Sequence, residues 1–131
     1  MGVRLGLAGL GLFHLANGLA MLLWPTAWAA TIVHLAGPDR LHLHFIADIA
    51  MAFAASGAGM LLGAWRGTNR AAFAVAGATW PALHALLHLK EWALDGPSAA
   101  TGDLINEGIG VIVVGVAGVA LAWARARQGD A

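Results

Sequence analysis

Four stretches of this chain each run for about the thickness of a bilayer with almost no charge. Leu5 to Trp24 carries no charged side chain, and Leu41 to Gly63 carries Asp48 as its one charge. Ala71 to Leu89 again carries none, and Leu104 to Trp123 carries only Glu107. A helix rising about 1.5 Å per residue crosses a hydrocarbon core of about 30 Å in about 20 residues, and each run is of that order. Backbone groups in lipid must be satisfied within their own segment, so each run is expected to be helical. The expected fold is all-α: an integral membrane four-helix bundle, one transmembrane domain over residues 1–131, with spans at about 5–24, 41–63, 71–91 and 104–123.

Composition excludes the soluble alternative. Only 11% of the 131 residues are charged and 60% are hydrophobic, with a mean hydropathy of +0.74, too little polar surface to cover a soluble domain of this length. The formal net charge is zero, which leaves no basic field for nucleic acid. Cysteine is absent, so disulfides, thiolate metal sites, iron–sulfur clusters and cysteine nucleophiles are excluded. No serine triad, phosphate loop or nucleotide fingerprint is visible, so no catalytic residue is assigned.

With four crossings, both termini and the second loop share one side. That side holds five cations, Arg4, Arg66, Arg70, Arg125 and Arg127, against Arg40 and Lys90 opposite. The positive-inside rule then places both termini in the cytoplasm. Trp24, Trp28 and Trp92 fall near the outer interface and Trp65 and Trp123 near the inner one, as an aromatic belt requires, while Trp80 sits mid-span. Ala27-Trp28-Ala29 has the look of a signal cleavage site. The apolar run before it is too long for a signal core and carries His14 and Asn17, so a retained helix is expected. Pro25 to Arg40 is too short to cross; Pro25 can open a helix, and Trp28, Ile32 and Leu35 recur at helical spacing, so a short interfacial helix is expected there. Glycines such as Gly57, Gly59 and Gly63, or Gly115 and Gly118, read as close-packing positions.

The informative residues are those that do not belong in lipid: His14, Asn17, His44, Asp48, His84, His88, Glu91 and Glu107. Counted from the predicted outer helix ends, His14 and His84 lie about 15 Å deep, Asn17, Asp48 and His88 about 10 Å, and His44, Glu91 and Glu107 about 5 Å. All are in the outer half. His44 and Asp48 are four apart, as are His84 and His88, with Glu91 three further on, so each helix presents one polar face. Ionisable groups in a span usually face the bundle interior, and an unpaired carboxylate there is costly. Imidazoles beside carboxylates suit a transition metal ion (iron, zinc, copper or manganese), with His44, Asp48, His84 and His88 as ligands and Glu91 or Glu107 completing the set. The alternatives are a haem or other tetrapyrrole held by His14 and His84 and exchanging electrons with quinone, a proton relay through Asp48, His88 and Glu107, an accessory subunit of a larger membrane complex, or polar groups that only lock the bundle. Beyond the lipid bilayer itself, a quinone, a larger membrane complex and a second copy of the chain are the expected kinds of partner.

Gly37-Pro38, the run His44-Phe45-Ile46-Ala47-Asp48-Ile49, Trp80-Pro81-Ala82-Leu83-His84 through His88, and Asn17-Gly18 followed by Pro25 together resemble small bacterial four-helix membrane proteins of the DoxX-like kind. The resemblance implies a four-helix fold, a polar site and a link to sulfur or quinone redox chemistry, and with it a multi-pass place in the bacterial inner membrane. Where such proteins often carry an arginine between the His-Phe pair and the aspartate, Ala47 stands here.

Overall fold

The computed structural model describes residues 1–65, 67–97 and 100–128, so Arg66, counted above among the cations, lies outside the described residues. The chain runs as α1 (Gly2–Leu23), α2 (Pro25–Ile32), α3 (Arg40–Ala64), α4 (Arg70–Asp95), α5 (Thr101–Ile105), a π-helical stretch (Asn106–Val113) and α6 (Val114–Arg127). The last three join end to end, so four helices are long and apolar enough to cross a membrane: α1, α3, α4 and Thr101–Arg127. The described residues contain no strand. The four spans and the short helix after the first are those expected from the sequence.

Glycine fixes how the spans meet. A Cβ added to Gly18 of α1 would stand 2.7 Å from the Ala50 carbonyl oxygen of α3, and one added to Gly11 would stand 2.9 Å from that of Gly57. Between α3 and α4, a Cβ on Gly77 would lie 2.5 Å from the Met60 nitrogen; between α4 and α6, one on Gly115 would lie 2.5 Å from the Pro81 carbonyl oxygen. Backbones in direct contact gain dispersion energy where lipid gives no hydrophobic drive to associate. The seam between α1 and α6 is different, because the Leu121 side chain fills it against Gly6 near the termini. The outer faces carry leucine, valine and phenylalanine (Leu12, Leu19, Leu62, Phe73, Leu83, Val116) open to lipid.

The end that carries the termini is closed by arginine. Helix α3 stops at Ala64, leaving carbonyls without intrahelical partners. Arg4 Nε of α1 donates to the Ala64 carbonyl at 2.8 Å; Arg125 of α6 donates through Nε to Gly63 at 3.0 Å and through a terminal nitrogen to Trp65 at 3.2 Å. Two of the cations read as topology signals are therefore also a helix cap, placed where the helix dipole favours positive charge.

At the other end, Pro25 opens α2 in its first turn. Ala29 is fully buried, and the amides of Val33 and Leu35 both donate to its carbonyl, at 3.3 and 3.0 Å. His34 at φ 53° turns the chain, so the helix ends at Ile32 and Leu35 packs inward from outside it. Asp39 then caps α3, accepting from the His42 amide at 2.9 Å, and that bond holds its carboxyl below the usual value.

Candidate functional site

Toward the α2 end the seam between α1 and the last span opens into a chamber of about 610 Å³. That size falls within the usual range for small-molecule sites, about 300–1,000 Å³. Helix α1 contributes Phe13 and Asn17, α2 Trp28 and Ile32, α3 Ile49 and Phe53, and α4 His84 and His88. The opposite wall is the π-helical stretch and the residues just before it, from Asp103 to Val111. Phe13 is 45% exposed and Ile105 and Ile109 are 53% and 59% exposed, so apolar side chains on facing helices frame the mouth.

Polar contacts hold the chamber's roof and wall. The Trp28 indole donates to Asn17 Oδ1 at 3.0 Å, tying α2 to α1. Asn106 Nδ2 donates to the Ile32 carbonyl at 3.0 Å, and His34 Nε2 lies 3.4 Å from Asp103, tying α2 to the last span. The Trp92 indole donates to Glu107 Oε2 at 2.6 Å. Asn106 and Glu107 open the π-helical stretch, a geometry that recurs at functional sites because its extra residue per turn re-aims side chains.

Along one wall of the chamber, rings meet in a column that continues to His14. His14 and Phe53 have centroids 5.5 Å apart and nearly parallel planes; Phe53 meets His84 edge-on at 6.1 Å; and His84 meets His88 edge-on at 4.9 Å. Trp80, misplaced for an interfacial belt, lies flat on His84 at 5.5 Å. His14 is 1% exposed, and neither of its ring nitrogens has a hydrogen-bond partner among the described residues. His88 Nδ1 is 3.5 Å from Glu91 Oε2, within ion-pair reach but too poorly placed for a hydrogen bond.

The expected site residues thus separate into groups. His84, His88 and Glu107 line the chamber, and His14 joins the ring column along its wall. Glu91 lies 3.5 Å from His88 and is not among the residues that line the chamber. His44 and Asp48, expected to face the bundle axis, face outward and pair with each other at 3.4 Å, their side chains 70% and 49% exposed. The reason is rotational: Ile46, Ala50 and Phe53 form the buried stripe at this end of α3, and positions 44 and 48 lie roughly half a turn round from it. Among the described residues, no three histidine, aspartate or glutamate side chains come together in a group that could hold a metal ion.

Sequence reading missed Phe53, Trp92, Asn106 and Asp103. Asn106 was the one with a signal, as an amide beside Glu107 inside an apolar run. Phe53 looks like any core aromatic, and Trp92 like any interfacial one. No known family model matches this chain, and no match is found among curated proteins or solved structures.

Proposed function

We propose that this protein binds a small lipid-soluble molecule with a polar head, which enters the chamber sideways from the bilayer. The carrying observation is the chamber itself: apolar at a mouth between two membrane-spanning helices, with Asn17, His84, His88 and Glu107 among its lining. Apolar walls with a few convergent polar groups are the usual anatomy of a ligand site. A quinone falls within this ligand class. A metal centre built on His44, Asp48, His84 and His88 has less support, since it requires α3 to turn by about half a revolution. A haem between His14 and His84 would have to displace Phe53, whose ring contacts both imidazoles.

Gly110 provides the test. It lines the chamber, and a Cβ there would meet nothing within 4 Å, so a large side chain can enter the space without disturbing helix contacts. A photoreactive dodecanol carrying a diazirine should label chamber residues such as Phe53 and Val111 in the purified protein, and excess unlabelled dodecanol should suppress that labelling. Gly110→Phe should abolish the suppressible fraction while the helical signal stays unchanged. Labelling that is unsaturable and spread over outward leucines such as Leu83 would defeat the proposal.

We further propose that the chain lies in a bacterial inner membrane with both termini cytoplasmic, which puts the chamber in the outer leaflet. Arg4, Arg70, Arg125 and Arg127 at the terminal end against Arg40 and Lys90 at the α2 end support this. A reporter active only in the periplasm should be active when fused in the α4–α5 connection and silent at the C-terminus. The reverse pattern would overturn the orientation.

A further inference from the structure

Glu107 is the feature the proposed binding role leaves unexplained. It lines the chamber, inside the most apolar of the four spans, and its one hydrogen bond among the described residues comes from the neutral indole of Trp92. An ionised carboxylate has only acceptors to offer. One indole N–H leaves most of its lone pairs unused and its charge unbalanced, a costly state at membrane depth. Among the described residues no lysine or arginine lines the chamber; its other titratable lining groups are His84, His88 and Asp103, the last beside His34.

The other walls suit the same missing charge. Phe13, Trp28 and Phe53 are among the residues that line the cavity. Aromatic faces attract cations through the ring quadrupole, most strongly where water is excluded. A carbonyl-headed ligand brings acceptors, which an ionised carboxylate cannot use. A cationic head brings what the carboxylate lacks, and a hydrocarbon tail can lie along Ile105 and Ile109 toward the mouth.

Resting on the chamber reading above, we propose that the ligand class is a lipophilic organic cation: a quaternary or protonated amine bearing a hydrocarbon tail, with Glu107 as its counter-ion and the aromatic rings around its head. The amine enters as the cation and pairs with the Glu107 side chain through space, so no covalent bond is made or broken.

The test compares decyltrimethylammonium with its uncharged isostere, in which carbon replaces the quaternary nitrogen. Binding to the full chain in a neutral maltoside detergent is followed by equilibrium dialysis. The wild-type chain should bind the cation about tenfold more tightly or better, since a desolvated charge pair adds to the ring contacts. Glu107→Gln keeps an oxygen for the Trp92 indole and removes only the charge, so it should cut the preference severalfold, leaving the share due to the rings, and leave the isostere's affinity in place. Equal affinities in the wild type, a comparison that needs no variant, would overturn the proposal, as would an undiminished preference in Glu107→Gln. If neither probe binds while dodecanol still labels the chamber saturably, the cation assignment fails and the chamber reading stands. If dodecanol labelling fails as well, both fall.

Discussion

Gly77→Ala is expected to destabilise the bundle by about 2–3 kcal/mol, and Gly77→Val to prevent it from assembling. The reason lies in what surrounds the missing side chain. A Cβ at this position would stand 2.5 Å from the Met60 nitrogen and 2.8 Å from both the Gly59 carbonyl carbon and the Ser56 oxygen. All of these are backbone atoms of α3, so no side chain can swing aside. The helices must separate, and separation forfeits the dispersion contacts along the seam, which are the main attraction between helices in lipid. Pro81 adds to the constraint, since it has no N–H for the Gly77 carbonyl one turn earlier. Gly9→Ala is the matched control, the same substitution in the same type of helix where a Cβ would meet nothing within 4 Å. Equilibrium unfolding of both variants in mixed detergent decides the matter. Equal midpoints for Gly77→Ala and Gly9→Ala would refute close packing at this seam.

Arg125→Ala should cost about 2–4 kcal/mol in the same assay. Arg125 is 4% exposed, and its guanidinium donates to the Gly63 and Trp65 carbonyls, and to Gln128 Oε1 at 3.1 Å. Alanine leaves those carbonyls, at the negative end of the α3 dipole, without their charged donor. A hydrogen bond to a charged group contributes more than a neutral one, and burial raises the cost of leaving its partner unmet. Arg125→Lys should recover part of the loss, since an ammonium keeps the charge but cannot span both carbonyls in one plane. Arg4→Ala should cost less, because Arg4 is only partly buried and makes one such bond. Wild-type stability in Arg125→Ala would show that water serves these carbonyls equally well and that the arginine acts only on topology.

How much of this is legible in the sequence differs from residue to residue. Position along the bundle is: the polar groups singled out in the sequence all fall in the half that carries α2, because position follows from counting residues along a straight helix. That His84 and His88 share a face is also legible, and so is the short helix opened by Pro25. Legibility fails at His44 and Asp48, which share a face as expected, but the wrong one for a common site. It fails again at Trp92, which reads as an interfacial anchor and donates to Glu107. Arg125 reads as a cation of the terminal side, and its second role as a cap is invisible in the sequence, because its partners lie 60 and 62 residues away in the chain.

Length and hydropathy alone determined the four spans, since a bilayer sets one length and forbids unpaired backbone whatever the helices pack against. Helical periodicity alone determined which polar residues travel together. The rotation of each helix about its own axis was decided only in three dimensions. In a soluble bundle an apolar stripe announces the inward face, but these helices are apolar all round, because lipid asks for the same surface as the core. Backbone contact at Gly57, Gly77 and Gly115 therefore set the rotations. Those rotations turned Asp48 outward, brought Glu107 to Trp92, and left the gap between α1 and the last span that makes the chamber.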